Sequence, residues 1–288
     1  MRRKKLTPYL LIAPFLVSFF VLFLYPAGYS LVLSFFNYRG YGVAKYVGFA
    51  NYTSLLNYSA FWKGLENTAF YFIMHIVPEI GLGFVFALIL HSGYAKRFQK
   101  IFKPILFLPQ IIPAMAITLV FRIIFSRYTG VVNQILGMDI RWLEDPVISR
   151  WVIVFFISWR GIGWFMVIFL AGLTAINQDL YDAAKIDGAN GWQTCLKITI
   201  PLLRPTIFFA FITDAISSFK IFTGVNALIA GGGMANKDVA PIMNQVTTNI
   251  TNGRFGMAAA AGWLLFLVIV IISLIEKIII NGWKKADT

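Results

Sequence analysis

The feature that most constrains this chain is a series of six apolar runs, each long enough to cross a lipid bilayer. A crossing helix needs about 20 predominantly apolar residues. Backbone groups in hydrocarbon must be hydrogen-bonded internally, so runs of this length predict helices rather than strands. The runs lie near 9–36, 68–90, 105–125, 151–175, 206–229 and 257–280. The sequence therefore predicts an all-α membrane protein with six transmembrane helices.

Composition supports a membrane protein and argues against other classes. Hydrophobic residues make up 59% of the 288 and charged residues only 13%, which an ordinary soluble domain of this length does not show. The net charge of +13 comes from basic residues at the ends of apolar runs, so we expect contact with a lipid bilayer and no nucleic acid. The single cysteine, Cys195, excludes an internal disulfide.

The distribution of basic residues predicts the orientation. Lys and Arg are about twice as dense in one set of connecting segments, with 14 in 64 residues against 8 in 83. The denser set comprises 1–7, 91–104, 176–205 and 276–288, and the sparser set comprises 37–67, 126–150 and 230–256. Cytoplasmic segments have an excess of Lys and Arg. We therefore expect both termini, and the interval 176–205, on the cytoplasmic side.

That interval is the longest polar stretch between two apolar runs, and it contains signals for two short helices. Asp179 can accept hydrogen bonds from the free N–H groups at a helix start. Gly188 suits the left-handed conformation that often ends a helix, and Asn190 with Gln193 predicts a capping box for the second helix. A helix of about eight residues is marginal alone in water. We therefore expect the first one to dock on another surface.

A sequence pattern in this interval points to a family. The residues are Asp182-Ala183-Ala184, then Asp187-Gly188-Ala189, then Ile198-Thr199-Ile200-Pro201. The arrangement resembles the cytoplasmic loop of inner-membrane permease subunits from binding-protein-dependent ABC importers, where Glu-Ala-Ala precedes a glycine and an Ile-x-Leu-Pro sequence. Asp182 replaces the family's Glu, and Ile200 replaces its Leu. The flanking LY and PLLRP, at 180–181 and 201–205, resemble the carbohydrate-uptake branch in particular.

The resemblance extends over nearly the whole chain. The opening resembles the first permease of sugar importers of the maltose, glycerol-phosphate or raffinose type, in LTPYLLIAP (6–14), YP (25–26) and SFFNY (34–38). Later matches are FLPQ (107–110), IP (112–113), AGL (171–173) with Ile176, and the glycine-rich Gly231–Gly233, after which Met234 replaces the usual Pro. No repeat or second domain is evident, so we expect a single transmembrane permease domain, 1–288.

This resemblance implies a type I ABC importer permease fold in a plasma (inner) membrane. A second, homologous permease subunit would complete the pore, and an extracytoplasmic sugar-binding protein would deliver a carbohydrate, an oligosaccharide in particular. Cytoplasmic ATP-binding subunits would hold ATP-Mg and grip the coupling loop, 176–205. The ATPase-coupling residues implied are Asp182, Ala183, Ala184, Asp187, Gly188 and Ala189.

A search for catalytic and metal-binding sets predicts none on this chain. There is no G-x-x-x-x-G-K-[ST] sequence, so ATP is not bound through a P-loop, and there is no H-E-x-x-H sequence. His75 and His91 lie sixteen residues apart with no cysteine or carboxylate cluster beside them. We therefore expect a transport subunit rather than an enzyme, with no cofactor or metal of its own.

Polar residues within the fifth run predict a substrate path. Thr213, Ser217, Lys220 and Gly224 are spaced so that a continuous helix would place them within about 60° of one another. Asp214 lies about 100° away and could pair with a basic residue. The alternative is that Thr213 and Ser217 bond back to their own helix.

The fourth run offers a second set, in which Trp159, Arg160, Gly161 and Trp164 bring a cation, a close-approach glycine and aromatic faces together. Sugar hydroxyls bond polar side chains, and sugar C–H faces stack on indole rings. By the resemblance, both sets occupy the locations of the family's sugar contacts. We interpret Glu79, beside Pro78, as a helix-packing partner rather than as part of the route.

Two other classes compete with this interpretation. A secondary transporter or channel driven by an ion gradient would need paired carboxylates at mid-membrane, for which Glu79 and Asp214 are the candidates. A membrane-embedded enzyme would need a catalytic set, which the sequence lacks.

Overall fold

The fold is that of a computed structural model, which describes residues 3–92, 98–221, 223–229 and 238–285. Almost all of the described backbone is helical, as the apolar runs predict. The helices in chain order are α1 (Arg3–Phe19), α2 (Tyr25–Leu33), α3 (Ala50–Leu56), α4 (Ser59–His91), α5 (Gln99–Ile111), α6 (Ala114–Ile124), α7 (Val131–Leu136), α8 (Pro146–Thr174), α9 (Gln178–Ile186), α10 (Gly191–Thr194), α11 (Ile200–Leu202), α12 (Arg204–Phe219), α13 (Thr223–Ile229), α14 (Met243–Thr251) and α15 (Phe255–Lys285). The predicted loop Gly231–Gly233 with Met234 lies outside the described residues.

Four helical segments among these are long and apolar enough to cross a membrane singly. They are Tyr9–Leu33, Ser59–His91, Pro146–Thr174 and Phe255–Ile278. The first is continuous because a π-helical turn, Phe20–Leu24, joins α1 to α2. Two bent helix pairs complete the set, Gln99–Ile111 with Ala114–Ile124 and Gly191–Leu202 with Arg204–Phe219. Counting each bent pair as one crossing gives the six that the sequence predicts.

The prediction of one helix over 105–125 is wrong. The chain turns by 95° between α5 and α6. Ile112 is extended, with ψ 134°, and Pro113 has ψ 130°. Proline disfavours the α conformation at the residue before it, so the helix ends at Ile111 and a new one begins at Ala114.

The prediction of one helix over 206–229 is also wrong. Helix α12 ends at Phe219, Lys220 has φ −95° and ψ 0°, and α13 begins at Thr223. Non-helical backbone at membrane depth is tolerated where it lines a cavity. Lys220, Ile221 and Thr223 do line one, and that cavity is described below.

The chain forms two compact units. They are Met1–Trp62 with Met243–Leu267, and Lys63–Ile242 with Val268–Thr288. In the first unit, β1 (Phe36–Asn37) pairs antiparallel with β2 (Lys45–Tyr46). The buried Asn51 stabilises the approach to this hairpin, because its amide donates to the carbonyl oxygens of Ser34 at 2.7 Å and Phe36 at 3.0 Å.

Helix α8 organises the second unit because both of its halves are buried in apolar clusters. The N-terminal half packs on α6 and α13 in a cluster that includes Ile153, Phe156 and Phe121. The C-terminal half packs on α4 and α12 in a second cluster that includes Met166 and Phe169. Between the two clusters, residues 158–164 contain serine, arginine, glycine and tryptophan. This polar middle section of α8 forms one wall of the cavity.

Candidate functional site

The second unit contains an open cavity of about 620 Å³. Helices α4, α5, α6, α8, α12 and α13 all contribute side chains to its wall. The structure brings together every residue that the sequence suggested for the substrate path, namely Arg160, Gly161, Trp164, Thr213, Ser217 and Lys220. The two sets, which lie on different helices, therefore face one space.

Glycines on α8 allow neighbouring helices to come close at this wall. A Cβ on Gly163 would overlap the backbone of Leu106 on α5, and a Cβ on Gly161 would overlap the carboxylate of Glu79 on α4. Small residues at helix crossings are typical of membrane bundles. Gly161 is thus a close-approach glycine, as predicted, but the group that approaches it is Glu79.

The predicted polar stripe on the fifth run reaches the cavity by a different geometry. The expected spacing assumed one continuous helix, whereas Gly224 belongs to α13. It still lines the cavity with Thr213, Ser217 and Lys220, because α13 returns to the same space. The Gly224 carbonyl lies 3.3 Å from Thr118 Oγ1. The sequence therefore indicated which residues lie near one another, but they do not lie on one continuous helix.

The hydroxyls of Thr213 and Ser217 bond back to their own helix and also line the cavity, so neither interpretation of the sequence excludes the other. Thr213 Oγ1 donates to the Phe209 carbonyl at 2.7 Å, and Ser217 Oγ donates to the Thr213 carbonyl at 2.8 Å. Both residues nevertheless line the cavity. A hydroxyl that donates its hydrogen still has acceptor lone pairs. These two groups can therefore accept hydrogen bonds from a bound molecule.

The aromatic residues of the fourth run separate into two roles. Trp164 lines the cavity and stacks on Phe107, with ring centroids 6.3 Å apart and planes 22° from parallel. Trp159 instead contacts the ring of Phe121, with centroids 5.3 Å apart. Trp164 is therefore the indole available to a molecule in the cavity.

One wall of the cavity holds a group that sequence reasoning missed. His75 Nε2 lies 3.2 Å from Asp214 Oδ1 and 3.5 Å from Glu79 Oε2. All three side chains are buried. The expectation that no carboxylate cluster accompanies a histidine is wrong. His75 and Glu79 are one helical turn apart, which is a local signal, but Asp214 is 139 residues from His75 and no spacing rule connects them.

This cluster also corrects the interpretation of two acidic residues. Asp214 was expected to pair with a basic residue, and the residue beside it is His75. Glu79 does pack between helices, against Gly161, and in addition it lines the cavity. A packing role and a place in the cavity wall therefore coincide in Glu79.

The coupling interval forms the two short helices that the sequence predicts, with one correction. Helix α9 begins at Gln178, and its cap is Asn177, whose side chain accepts from the Asp179 N–H at 3.1 Å. Asp179 is therefore in the first turn and is not the cap. Gly188 has φ +78°, as its predicted left-handed stop requires. Asn190 and Gln193 form the predicted capping box.

The residues predicted for ATPase coupling differ in their exposure on the coupling loop. Asp182, Ala183, Asp187 and Gly188 are exposed, Ala189 is half-buried, and Ala184 is buried within the chain. Asp182 lies 2.9 Å from Lys185 Nζ, and the hydrogen bond from Lys185 lowers the pKa of this carboxyl.

Apolar side chains on the same surface were not predicted. Ile186 is 87% exposed and Trp192 is 72% exposed. The signal for them was their polar neighbours, since Ile186 stands between Lys185 and Asp187 and Trp192 between Gly191 and Gln193.

Comparison with known proteins identifies the chain. Residues 79–285 match the family described as binding-protein-dependent transport system inner membrane component. The chain belongs to this family. It is a multi-pass permease subunit of the inner membrane, and the prediction of a transport subunit rather than an enzyme is confirmed.

Individual relatives match this permease along most of its length. The arabinooligosaccharides transport system permease protein AraP of Halalkalibacterium halodurans is 33% identical over 289 residues, covering 99% of this chain and 90% of AraP. The lactose transport system permease protein LacF of Rhizobium radiobacter is 32% identical over 278 residues, covering 93% of this chain and 92% of LacF.

A solved structure is similar to the permease in fold. A chain of a bacterial ABC transporter involved in the import of the acidic polysaccharide alginate superposes with a TM-score of 0.83. The match covers 97% of this chain and 96% of that chain, at 22% sequence identity. The predicted type I ABC importer permease fold is thereby confirmed.

Proposed function

We propose that this permease conducts a carbohydrate, an oligosaccharide in particular, through the cavity of about 620 Å³. The observation that supports this most directly is the convergence of α8 and α12 polar side chains with Trp164 on that space. Small-molecule sites measure about 300–1,000 Å³. The names of AraP and LacF, which refer to arabinooligosaccharides and lactose, favour the same class of cargo.

The cavity offers the chemistry that a sugar requires. Thr213 and Ser217 present hydroxyl lone pairs, while Arg160 and Lys220 supply N–H donors. Sugar hydroxyls both donate and accept, so they can replace the water that these groups bind. The indole of Trp164 supplies an apolar face for the sugar ring. Gly161 lets the Glu79 carboxylate lie against α8 beside Arg160, and the six residues together form the proposed substrate path.

The rest of the importer follows the family plan. A second, homologous permease completes the pore, and an extracytoplasmic sugar-binding protein delivers the cargo. Cytoplasmic ATP-binding subunits hold ATP-Mg, while this chain, acting as a single transmembrane domain over 1–288, has both termini in the cytoplasm. The excess of Lys and Arg in one set of connecting segments supports that orientation.

The coupling segment transmits the movement of the ATPase subunits. Helix α9 exposes Asp182 and Ala183, and the turn that ends it exposes Asp187 and Gly188. Ala184 anchors the helix from its buried side, and Ala189 supports its end, since the Ala189 N–H donates to the Ala184 carbonyl at 2.9 Å. Closure of the ATPase pair on ATP would move this docked helix, and the spans would then turn the cavity outward.

Reconstitution of the complete importer tests the proposal. Liposomes containing both permeases and the ATPase subunits, with binding protein outside and ATP inside, should accumulate labelled arabino-oligosaccharides or lactose. Liposomes that lack ATP but have a proton or sodium gradient should accumulate none. Uptake driven by the gradient alone would reject the ATP-driven mechanism. If no sugar in a broad panel accumulates while another solute does, the carbohydrate assignment is wrong.

A further inference from the structure

We propose that His75, Glu79 and Asp214 form a binding site for a divalent metal ion of the zinc class in the wall of the cavity. The cluster joins α4 to α12, since His75 and Glu79 lie on one helix and Asp214 on the other. Their candidate ligand atoms all lie within 4.8 Å of one another. One imidazole and two carboxylates form a donor set that Zn²⁺ accepts.

The groups around His75 Nε2 need either an additional proton or a metal ion between them. His75 Nδ1 lies at 2.5 Å from the Tyr71 carbonyl oxygen, which can only accept, so Nδ1 holds the proton. The other nitrogen, Nε2, then faces oxygen lone pairs from Asp214 Oδ1 at 3.2 Å, Glu79 Oε2 at 3.5 Å and Ser218 Oγ at 3.2 Å. Ser218 Oγ donates its own hydrogen to the Asp214 carbonyl at 2.7 Å. Lone pairs therefore point at one another.

The spacing of the two carboxylate oxygens from Nε2 suits a shared metal ion. Metal-bound histidines commonly donate their second N–H to a backbone carbonyl, which fixes the ring as Tyr71 does here. Ligand atoms at about 2.0–2.1 Å from a tetrahedral metal lie about 3.3–3.4 Å apart. The measured separations from Nε2, 3.2 and 3.5 Å, bracket that value.

Two oxygens of the cluster are otherwise unsatisfied. Glu79 Oε2 and Asp214 Oδ2 are buried and have no hydrogen-bond partner among the described residues. Buried carboxylates are costly unless they are paired or bind a metal. A divalent ion would balance both charges. Because all three residues line the cavity, the remaining coordination position of the ion would open toward it.

The test is a metal measurement on the complete, nucleotide-free transporter, purified with a histidine-free affinity tag and no chelator. Elemental analysis should find about one more equivalent of zinc-class metal in the wild type than in a His75→Gln importer. The control is His91→Gln, which removes the other histidine of the chain, at the end of the same helix, and should keep the metal. Equal metal content in wild type and His75→Gln would overturn the proposal.

A second measurement starts from the wild type and detects the site with cobalt. The wild-type transporter, stripped with a chelator and titrated with Co²⁺, should develop a visible absorption band that zinc then abolishes. Asp214→Asn and Glu79→Gln should each weaken binding at least about tenfold. Absence of a saturable band would mean that a proton on His75, rather than a metal, joins the carboxylates. No sugar is added, so this result is independent of the cargo.

Discussion

Gly161 on α8 lies directly against the carboxylate of Glu79 on α4, so closely that a Cβ at position 161 would overlap Glu79 Oε1. This contact joins the predicted substrate path to the cluster of His75 and Asp214. The contact that packs α8 against α4 is thus also part of the cavity wall.

Gly161→Ala should therefore disturb both stability and transport. The added methyl must displace a buried carboxylate, and overpacking of this kind costs about 1–3 kcal/mol. We expect a lower unfolding temperature in detergent and a fall of at least tenfold in sugar uptake. Gly81→Ala is the matched control, because Gly81 lies on α4 and a Cβ added there would meet nothing within 4 Å. Equal behaviour of the two variants would contradict the packing argument.

Gly188→Val should uncouple ATP hydrolysis from transport. Gly188 has φ +78° and open space around it, so the substitution acts through backbone strain and not through a clash. A β-branched residue resists this conformation, which costs about 1–2 kcal/mol even for ordinary residues. Helix α9 would then end wrongly, and ATP-driven uptake should be lost while the subunit stays in the membrane.

The control for this change is Gly191→Val. Gly191 also has open space, but its backbone is not left-handed, so uptake should be nearly normal. Membrane content is measured by immunoblot and uptake in vesicles. A normal rate in Gly188→Val would mean that the coupling segment lies elsewhere.

Ser217→Leu should block the cargo while the assembly survives. The leucine fills space in the cavity and removes an acceptor, without introducing charge. Ile216 is unsuitable as a control because it lines the same cavity. Ile212→Leu, one turn earlier on α12 and of equal volume, should transport almost normally. We expect at least a tenfold difference in uptake between the two, and equal uptake would place the sugar route elsewhere.

Cysteine labelling tests the orientation. After Cys195, the only cysteine, is replaced by serine, a cysteine at Tyr58 should react with an impermeant maleimide added to intact cells. A cysteine at Ile186 should react only after the membrane is opened and the ATPase subunits, which we propose to cover α9, are removed. Both positions are exposed, at 54% and 87%, so access depends on the side of the membrane. Labelling of position 186 from outside would reverse the topology.

Local chemistry was enough to predict much of this permease. Each apolar run predicts one membrane crossing, because about 20 apolar residues in a helix span the hydrocarbon core once. This property belongs to the segment itself and needs no tertiary contact. The left-handed stop at Gly188 and the capping box of Asn190 with Gln193 are equally local, since they involve backbone groups within one turn. The family pattern in the same interval could be read for the same reason.

Other features were decided only by the tertiary structure. The break between Phe219 and Thr223 is one of them, because the polar residues of this segment predict a substrate path but not an interruption of the helix. His75 and Glu79 meet Asp214 only because α4 and α12 pack together. His75 and Asp214 are 139 residues apart in sequence. Gly161 was predicted to be a close-approach glycine, but only the packing of α4 on α8 decides that Glu79 is the group that approaches it. The sequence determines which segments can be buried in the bilayer, because that depends on the apolar residues of each segment. Contacts between distant segments determine which polar groups line the same cavity.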